Sequence, residues 1–527
     1  MSKTQCKLGA LLMQDHYGEV VEKVCTCLVK NGAKPCRLLA NETQLKLEQV
    51  KKAIAVLIQL GHVEFDCNKR GFVEYSARLD RILLHTRYPK YIYCAKSLYG
   101  DAGELIIEEL LQNGHMLMSE VVAKVWQRLT EVLEQNKIIE EATVRQKFVD
   151  LVNTHFLQRS ATTSDKDASK EDSVAPRLTV TEEDMYKIPT GMAPDSKVNI
   201  RKRKLSTEED TNPSKKQKTE PAIDQGIYWC VNFDRFHQYM RDQEIVAAIR
   251  KRIDDNAASI VQTMLRISEV TTVCQADVTN PMSTSTILEA LPKEPAIDQS
   301  ILNQYLKILL EDQTEFISKF STSGGGMYVV NIHKAVRALC VATLESTVLE
   351  RFGQKSYRIF KLLLLKKYLE QKQIEEFALI PAKEAKEMLY NLFAEQLVTV
   401  QEIPRTPDHA PSRTFFLFNV NVEQVCRNIL ERSYKSLVNL ILRRNHETQI
   451  NKRVIEKSQR VEAIAASLQS AGADAAQTAE IEDMITPSEA VQLKRYKDNI
   501  AKLEKCEIQV DESIFILKLY TEYSNNH

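Results

Sequence analysis

VEFDCNKRGFVEYSARL, residues 63–79, alternates apolar and polar side chains on both sides of a short turn. Val63 and Phe65 come before Asn68-Lys69-Arg70-Gly71, and Phe72, Val73 and Tyr75 come after it. Period-two alternation around a turn that ends in glycine predicts a β-hairpin with a basic tip. Upstream, the period changes. Val50, Ile54, Leu57 and Ile58 in LKLEQVKKAIAVLIQLG (45–61) share one helical face, and PCRLLANET (35–43) reads as a shorter helix. Before that, Leu8, Leu11, Leu12, Val20, Val21, Val24 and Leu28 keep helical spacing until Asn31-Gly32, where glycine supplies a left-handed stop.

Three helices followed by a two-stranded hairpin is the order of a winged helix, with Lys69 and Arg70 at the tip of the wing. The order recurs downstream. Residues 86–159 hold a glycine-stopped helix, a second helix and EATVRQKFVDLVNTHFLQRS (141–160), a helix with a brief strand. Residues 226–345 run through several helices to FISKFSTSGGGMYVVNIHK (316–334), and residues 346–420 end in a hairpin around PRTPDHAPSR (404–413). Recurrence at roughly 75–110 residues points to tandem domains and not to a solenoid of short repeats. The expected fold is therefore mainly α with small β-hairpin wings: winged helices at 1–85, 86–159, 226–345 and 346–420. Residues 421–527 are expected to form an antiparallel coiled-coil hairpin. In its second arm Leu493, Tyr496, Ile500, Leu503, Val510, Ile514 and Leu517 alternate by threes and fours, a heptad seam from which only Glu507 departs. These seven are the candidate partner-docking residues.

Residues 160–225 differ in composition. They are rich in Ser, Thr, Asp, Lys and Pro and poor in large apolar residues, so they are expected to form a disordered linker. Within them, Arg201, Lys202, Arg203 and Lys204 form one basic cluster, and Lys215, Lys216 and Lys218 a second. The pair reads as a bipartite nuclear import signal or, alternatively, as a solvated charge run.

The chain has 527 residues, 43% hydrophobic and 27% charged, a composition that suits several globular domains. Lys+Arg and Asp+Glu are equal at 71 each, so any basic surface is local. Eleven cysteines form no Cys-x-x-Cys pair, and Cys25-Thr-Cys27 has no histidines at zinc-finger spacing. Scattered thiols suggest a reducing compartment. No apolar run reaches the ~18 residues of a membrane span, and the N-terminus lacks the pattern of a signal peptide, so a soluble intracellular protein is expected. There is no phosphate loop, nucleophile elbow or His-Glu-x-x-His. Catalytic residues, cofactors and metal sites are accordingly not expected.

Basic residues near the first wing are more informative. Lys51 and Lys52 lie on the helix before it, Lys69 and Arg70 on its tip, and Arg87 and Lys90 just beyond, interleaved with Tyr88, Tyr91 and Tyr93. A basic helix with a basic wing can follow phosphates on both sides of a groove, and tyrosines can stack on unpaired bases. These lysines equally suit an exposed helix face, the tyrosines a core, and winged helices also bind proteins.

RYPKYIY (87–93), GELIIEELLQNG (103–114), GIYWCVNFDRFHQ (226–238), SGGGMYVVNIHKA (323–335), IPAKEAKEMLY (380–390), PDHAPSRTFFLF (407–418), EKSQRVEAI (456–464) and EIQVDESIFIL (507–517) are long, specific strings. On them the chain resembles the winged-helix subunit family of nuclear, DNA-directed RNA polymerase III, over nearly its whole length; only the linker matches in composition alone. The resemblance implies a non-catalytic subunit in a polymerase III-specific heterotrimer with two partner subunits, placed on the polymerase clamp. It further implies recruitment to a promoter-bound initiation factor, help in opening promoter DNA, and transcription of tRNA, 5S rRNA and other small RNA genes in the nucleus. In vertebrates it adds a role in cytosolic DNA sensing and innate immunity. The family's fold is similar to the alpha subunit of general factor IIE. Two other classes fit the residues less well. A free-standing DNA-binding factor needs a strongly basic recognition helix, and a proteasome-lid type scaffold needs long helical repeats before a single winged helix.

Overall fold

The computed structural model describes residues 2–68, 71–132, 140–163, 178–181, 184–189, 224, 226–292, 297–322, 326–405, 413–470 and 484–525. They divide into two compact units, residues 12–240 and residues 241–527 with the first eleven. Most described residues are helical, and the sheets are small and antiparallel.

In the first stretch, α1 (Lys3–Tyr17), α2 (Glu19–Asn31), α3 (Cys36–Thr43) and α4 (Leu47–Gln59) precede the hairpin of β1 (Val63–Cys67) and β2 (Val73–Ala77). Gly32, at φ 80°, ends α2 by donating its N–H to the Leu28 carbonyl, as the Asn-Gly pair implies. Val24, Leu28, Leu39, Val50, Ile54 and Leu57 close a core beneath the wing. The register pairs Val63 with Ala77 and Cys67 with Val73. Lys34, just before α3, bridges to Tyr75 of β2.

After α5 (Leu79–Leu83) and a 3-10 turn (Leu84–Arg87), α6 (Tyr88–Asn113) bends at Gly100, where φ is 76°. β3 (Met116–Leu117), α7 (Met118–Val132), α8 (Glu141–Asn153) and β4 (Leu157–Arg159) follow. Two corrections to the sequence reading arise here. The linker is not wholly outside the fold. β5 (Thr162–Thr163) pairs with β6 (Leu178–Thr179), Tyr186 stacks on His155 at 3.7 Å, and the Met185 carbonyl accepts from the Arg159 amide. Residues 228–231, assigned by their position to the third unit at 226–345, instead form a strand, β7 (Tyr228–Val231), that lies between β3 and β4. Trp229 is fully buried there, edge-on to Phe148 at 5.7 Å. The linker is thus an insertion between two paired strands of the second sheet.

α9 (Phe233–Arg252) leads into the other unit. α10 (Asp255–Ser268) is capped by Asp254, whose carboxylate accepts from Ala257 N–H at 2.8 Å. β8 (Met282–Ser283), α11 (Thr284–Ala290), α12 (Gln299–Glu311), β9 (Ile317–Ser321) and β10 (Met327–Val330) complete this part, in sheet order β8-β10-β9. α13 (Ile332–Lys366) bends at Gly353, φ 78°. β11 (Leu369–Glu370), α14 (Gln371–Ala378), α15 (Ala382–Ala394), β12 (Thr399–Pro404) and β13 (Thr414–Asn419) repeat the pattern in sheet order β11-β13-β12.

Two long helices finish the chain, α16 (Val422–Ser470) and α17 (Pro487–Asn525). Their cross-links run in opposite directions along the sequence: Arg444 pairs with Glu507 at 3.1 Å, Thr448 with Tyr496 at 3.2 Å, and Lys457 with Glu489 at 2.6 Å. The arms are antiparallel. At their base Val425, Cys426, Leu517 and Tyr520 share one core with Ile359, Phe360, Leu389 and Leu392.

Candidate nucleic-acid and docking interfaces

α4 is amphipathic by composition. Val50, Ala53, Ile54 and Leu57 are buried, which turns Lys51 and Lys52 to solvent. The wing tip residues Lys69 and Arg70 lie outside the described residues, but the strands that carry them are in register up to Cys67 and Val73. Lys51 and Lys52 are therefore available to a phosphate backbone.

Arg87 is not. It is 4% exposed, in the 3-10 turn, and this burial removes it from the candidate contacts. Lys90 is half-buried in the first turn of α6. The three tyrosines divide. Tyr91 is fully buried, its hydroxyl 2.8 Å from His237 Nε2, and Tyr88 stacks on the His85 ring at 4.5 Å. Only Tyr93 stands exposed, the one of the three able to meet a base.

Two features that periodicity does not reveal hold the wing's base. The first is a ring cluster of His62, His85, Tyr17 and Tyr88. His85 Nδ1–H donates to the Ile82 carbonyl at 2.8 Å, so its Nε2 accepts from the Tyr17 hydroxyl at 3.1 Å. Burial, then Arg81 and His16, pushes the His62 imidazole down to about 4. Burial, then His62, pushes His85 down to about 3. The second feature is Gly114, at φ 77°. A Cβ there would come 2.1 Å from the Gln59 carbonyl oxygen at the end of α4. The Gln59 side-chain amide returns a bond to the Asn113 carbonyl at 3.2 Å. Helix end meets helix end with no room for a side chain.

The seven seam residues lie along α17 as their spacing requires. Leu493, Tyr496, Ile500, Leu503 and Val510 are half-buried, and Ile514 and Leu517 are buried. The structure turns this seam inward, toward the chain's own fold, which corrects its reading as a surface for other polypeptides. The off-pattern Glu507 meets Arg444 of the other arm. The end of α17 is tied down as well: buried Arg241 donates to the Tyr523 hydroxyl at 2.9 Å and to the Cys274 carbonyl at 2.8 Å.

Large apolar side chains are exposed on the segment from α13 to β13. Tyr390 and Phe393 project from α15, and Leu365, Phe377 and Leu379 lie near the ends of α13 and α14. Neighbouring cations are plentiful: residues 354–367 hold Lys355, Arg358, Lys361, Lys366 and Lys367 and no carboxylate. The import clusters at Arg201–Lys204 and Lys215–Lys218 lie outside the described residues. Among the described residues, no three His, Cys, Asp or Glu side chains are grouped to hold a metal, and no helix is long and apolar enough to cross a membrane.

Family models match four segments. Residues 7–66 match the RNA polymerase III subunit RPC82 helix-turn-helix domain, and residues 146–339 match RNA polymerase III subunit RPC82. Residues 344–420 match the POLR3C C-terminal winged-helix domain, and residues 453–516 the helical hairpin domain of DNA-directed RNA polymerase III subunit RPC3. The chain is 51% identical over 533 residues to DNA-directed RNA polymerase III subunit RPC3 of Bos taurus, covering 99% of both chains. It is 50% identical over 532 residues to the protein of that name in Homo sapiens, again covering 99% of both. The chain belongs to the RPC3 family. To the Danio rerio member it is 48% identical, across 99% of this chain and 98% of that one. The RPC82 helix-turn-helix match ends within β1 and so covers Lys51 and Lys52 but not Lys69, Arg70, Lys90 or Tyr93, whereas the winged-helix match spans α15 and the last hairpin.

Proposed function

We propose that this chain is a non-catalytic subunit of nuclear RNA polymerase III, and that it positions promoter DNA and partner subunits without contributing to bond formation. The observation that carries this reading is identity of about half the residues across 99% of both chains with RPC3 proteins. In this reading it joins two other subunits in a heterotrimer on the polymerase clamp, contacts the promoter-bound initiation factor, and assists DNA opening at tRNA, 5S rRNA and other small RNA genes. A role in cytosolic DNA sensing belongs to the same proposal, as does nuclear import through the two basic clusters.

The architecture proposed is four tandem winged helices and a hairpin. Its support is a shared detail. In three places a two-residue strand just before a helix (β3, β8 and β11) pairs with the last strand of the following sheet, β7, β10 or β13. In the fourth place a single bridge at Lys34 does the same with β2. Phosphate contact is assigned to Lys51, Lys52, Lys69 and Arg70, with Lys90 beside them. Purification of a tagged full-length chain tests the reading: the two largest polymerase III subunits should accompany it in near-equal amount. Recovery as a monomer, or with a proteasome-lid assembly, would overturn it.

A further inference from the structure

The first wing has an edge that the phosphate reading leaves unused. Among the described residues β1 has a single strand neighbour, β2. Arg78 N–H donates to the His62 carbonyl and Asn68 N–H to the Phe72 carbonyl, both at 2.8 Å, which fixes the phase of the pairing. Even-numbered residues turn their peptide groups toward β2, so those of Val63, Phe65 and Cys67 face the other way. A row of outward peptide groups is a template for another strand.

The edge opens onto a cleft. All five residues of β1 line a cleft of about 950 Å³ within the unit of residues 12–240. Arg81, His115 and Arg159 line it too. Two of their nitrogens, His115 Nδ1 and Arg159 Nε, are buried and have no hydrogen-bond partner. Arg81 also lies over the Phe233 ring, 5.1 Å from its centroid. Burial pushes the Arg159 guanidinium below its ordinary range, although its Nη2 already donates to the Lys187 carbonyl and its charge feels the Asp184 carboxylate, and burial does the same to the His115 imidazole.

We propose that β1 and this cleft receive an extended acidic peptide segment of a partner polypeptide, which adds as a strand to the β1 edge. Its main chain pairs with the outward groups of Val63, Phe65 and Cys67, and a carboxylate side chain meets Arg81, His115 and Arg159. Strand addition takes its affinity from the main chain and its selectivity from side-chain pockets. Five residues of β1 span about 17 Å, enough for a segment of similar length. Glu64, paired with Arg78 at 2.7 Å, and Asp66 also line the cleft and would repel the continuous charge of a phosphate backbone laid along the strand. A peptide main chain is uncharged there and carries its carboxylate only where it meets Arg81, His115 and Arg159. A peptide therefore fits better than a nucleic acid.

The proposal rests on the polymerase-subunit reading for the source of the partner, and the experiment separates the two. Hydrogen exchange of residues 62–68 is measured in the free full-length chain and in the purified polymerase. Three variants accompany it. Phe65→Pro deletes an outward donor while sparing the ladder to β2, Phe65→Ala keeps that donor, and Arg159→Glu reverses the charge of the cleft. The expected result is exchange slowed by at least about tenfold in the assembled wild type. Phe65→Pro and Arg159→Glu should lose a polymerase subunit that Phe65→Ala retains, with all three still unfolding in a cooperative transition above the temperature of the assay. Equal exchange in the free and assembled chains, or equal behaviour of the proline and alanine variants, would overturn the proposal. Protection that appears only when promoter DNA is added would overturn it in favour of a nucleic acid. A wild-type chain that recovers no polymerase subunits would instead overturn the parent reading, and that is known before any variant is compared.

Discussion

In the helix-turn-helix region at the start of the chain, the helix before the hairpin, α4, turns Lys51 and Lys52 to solvent. In the winged helix at residues 344–420 the equivalent helix, α15, turns out Tyr390 and Phe393, which are 49% and 44% exposed. The inward faces are alike: Val50, Ala53, Ile54 and Leu57 in one, Ala385, Leu389 and Leu392 in the other. Apolar spacing fixes which face is buried in both, and the remaining positions are free to diverge. Exposed lysines suit phosphate contact, which is electrostatic and indifferent to sequence. Exposed aromatic rings suit a protein interface, where Tyr and Phe are enriched. The proposed division gives one scaffold two kinds of recognition, and fold alone does not distinguish them.

The two regions are also held differently, which the largest expected effects address. The later winged helix shares its core with the base of the terminal hairpin. Ile514→Asp together with Leu503→Asp should destabilise the unit of residues 241–527 by at least about 3 kcal/mol, because a carboxylate would replace a fully buried side chain. Thermal or denaturant melting of the full chain checks this, with the transition of the unit of residues 241–527 displaced and the transition of residues 12–240 unmoved. Next in size is Gly114→Ala. The added methyl meets the Gln59 carbonyl in a backbone conformation that alanine tolerates badly, and a loss of roughly 2–4 kcal/mol confined to the first unit should follow. Loss from both units alike in either experiment would break the distinction.

Acid should separate the two regions as well. His62 and His85 are held neutral, at about 4 and about 3, below the ordinary imidazole value. Their unfolded forms take up a proton below about pH 6.5, and the folded forms do not until much lower pH. The stability they contribute is therefore complete above pH 6.5 and is lost as pH falls toward 4. Between pH 7.5 and pH 5 the first unit should lose roughly 1–2 kcal/mol for each imidazole. Replacing His62 with Leu should flatten that dependence, which pH-dependent melting would reveal.

What can be read from the sequence follows from the length of each signal. The hairpins at 63–77 and 399–419 alternate over enough residues to be read, and the seam from Leu493 to Leu517 repeats long enough to define a face. β3, β8 and β11 are two residues each, too short for any period. β7, at four residues, is also too short to read, and its place in the second sheet is hidden because its partners lie across the inserted segment. The charge of Arg87 suggests a surface, whereas its burial depends on packing around the 3-10 turn. Glu507 is a flaw in the seam by spacing alone, and its reason is Arg444 of the opposing arm.

The most direct test of the contrast between the two winged helices is a salt series of DNA binding by the full-length chain. Three proteins are compared: wild type, the quadruple variant Lys51→Ala, Lys52→Ala, Lys69→Ala, Arg70→Ala, and the double variant Tyr390→Ala, Phe393→Ala. Changes at the exposed Lys51, Lys52, Tyr390 and Phe393 each alter stability by under about 0.5 kcal/mol, and melting of each variant shows that folding does not confound the reading. Each lost phosphate contact removes roughly 0.7–0.9 from the magnitude of the slope of log K against log salt. The expected slope is smaller by about three for the quadruple variant and unchanged for the aromatic pair. An unchanged slope in the quadruple variant, or an equal fall in both, would contradict the contrast.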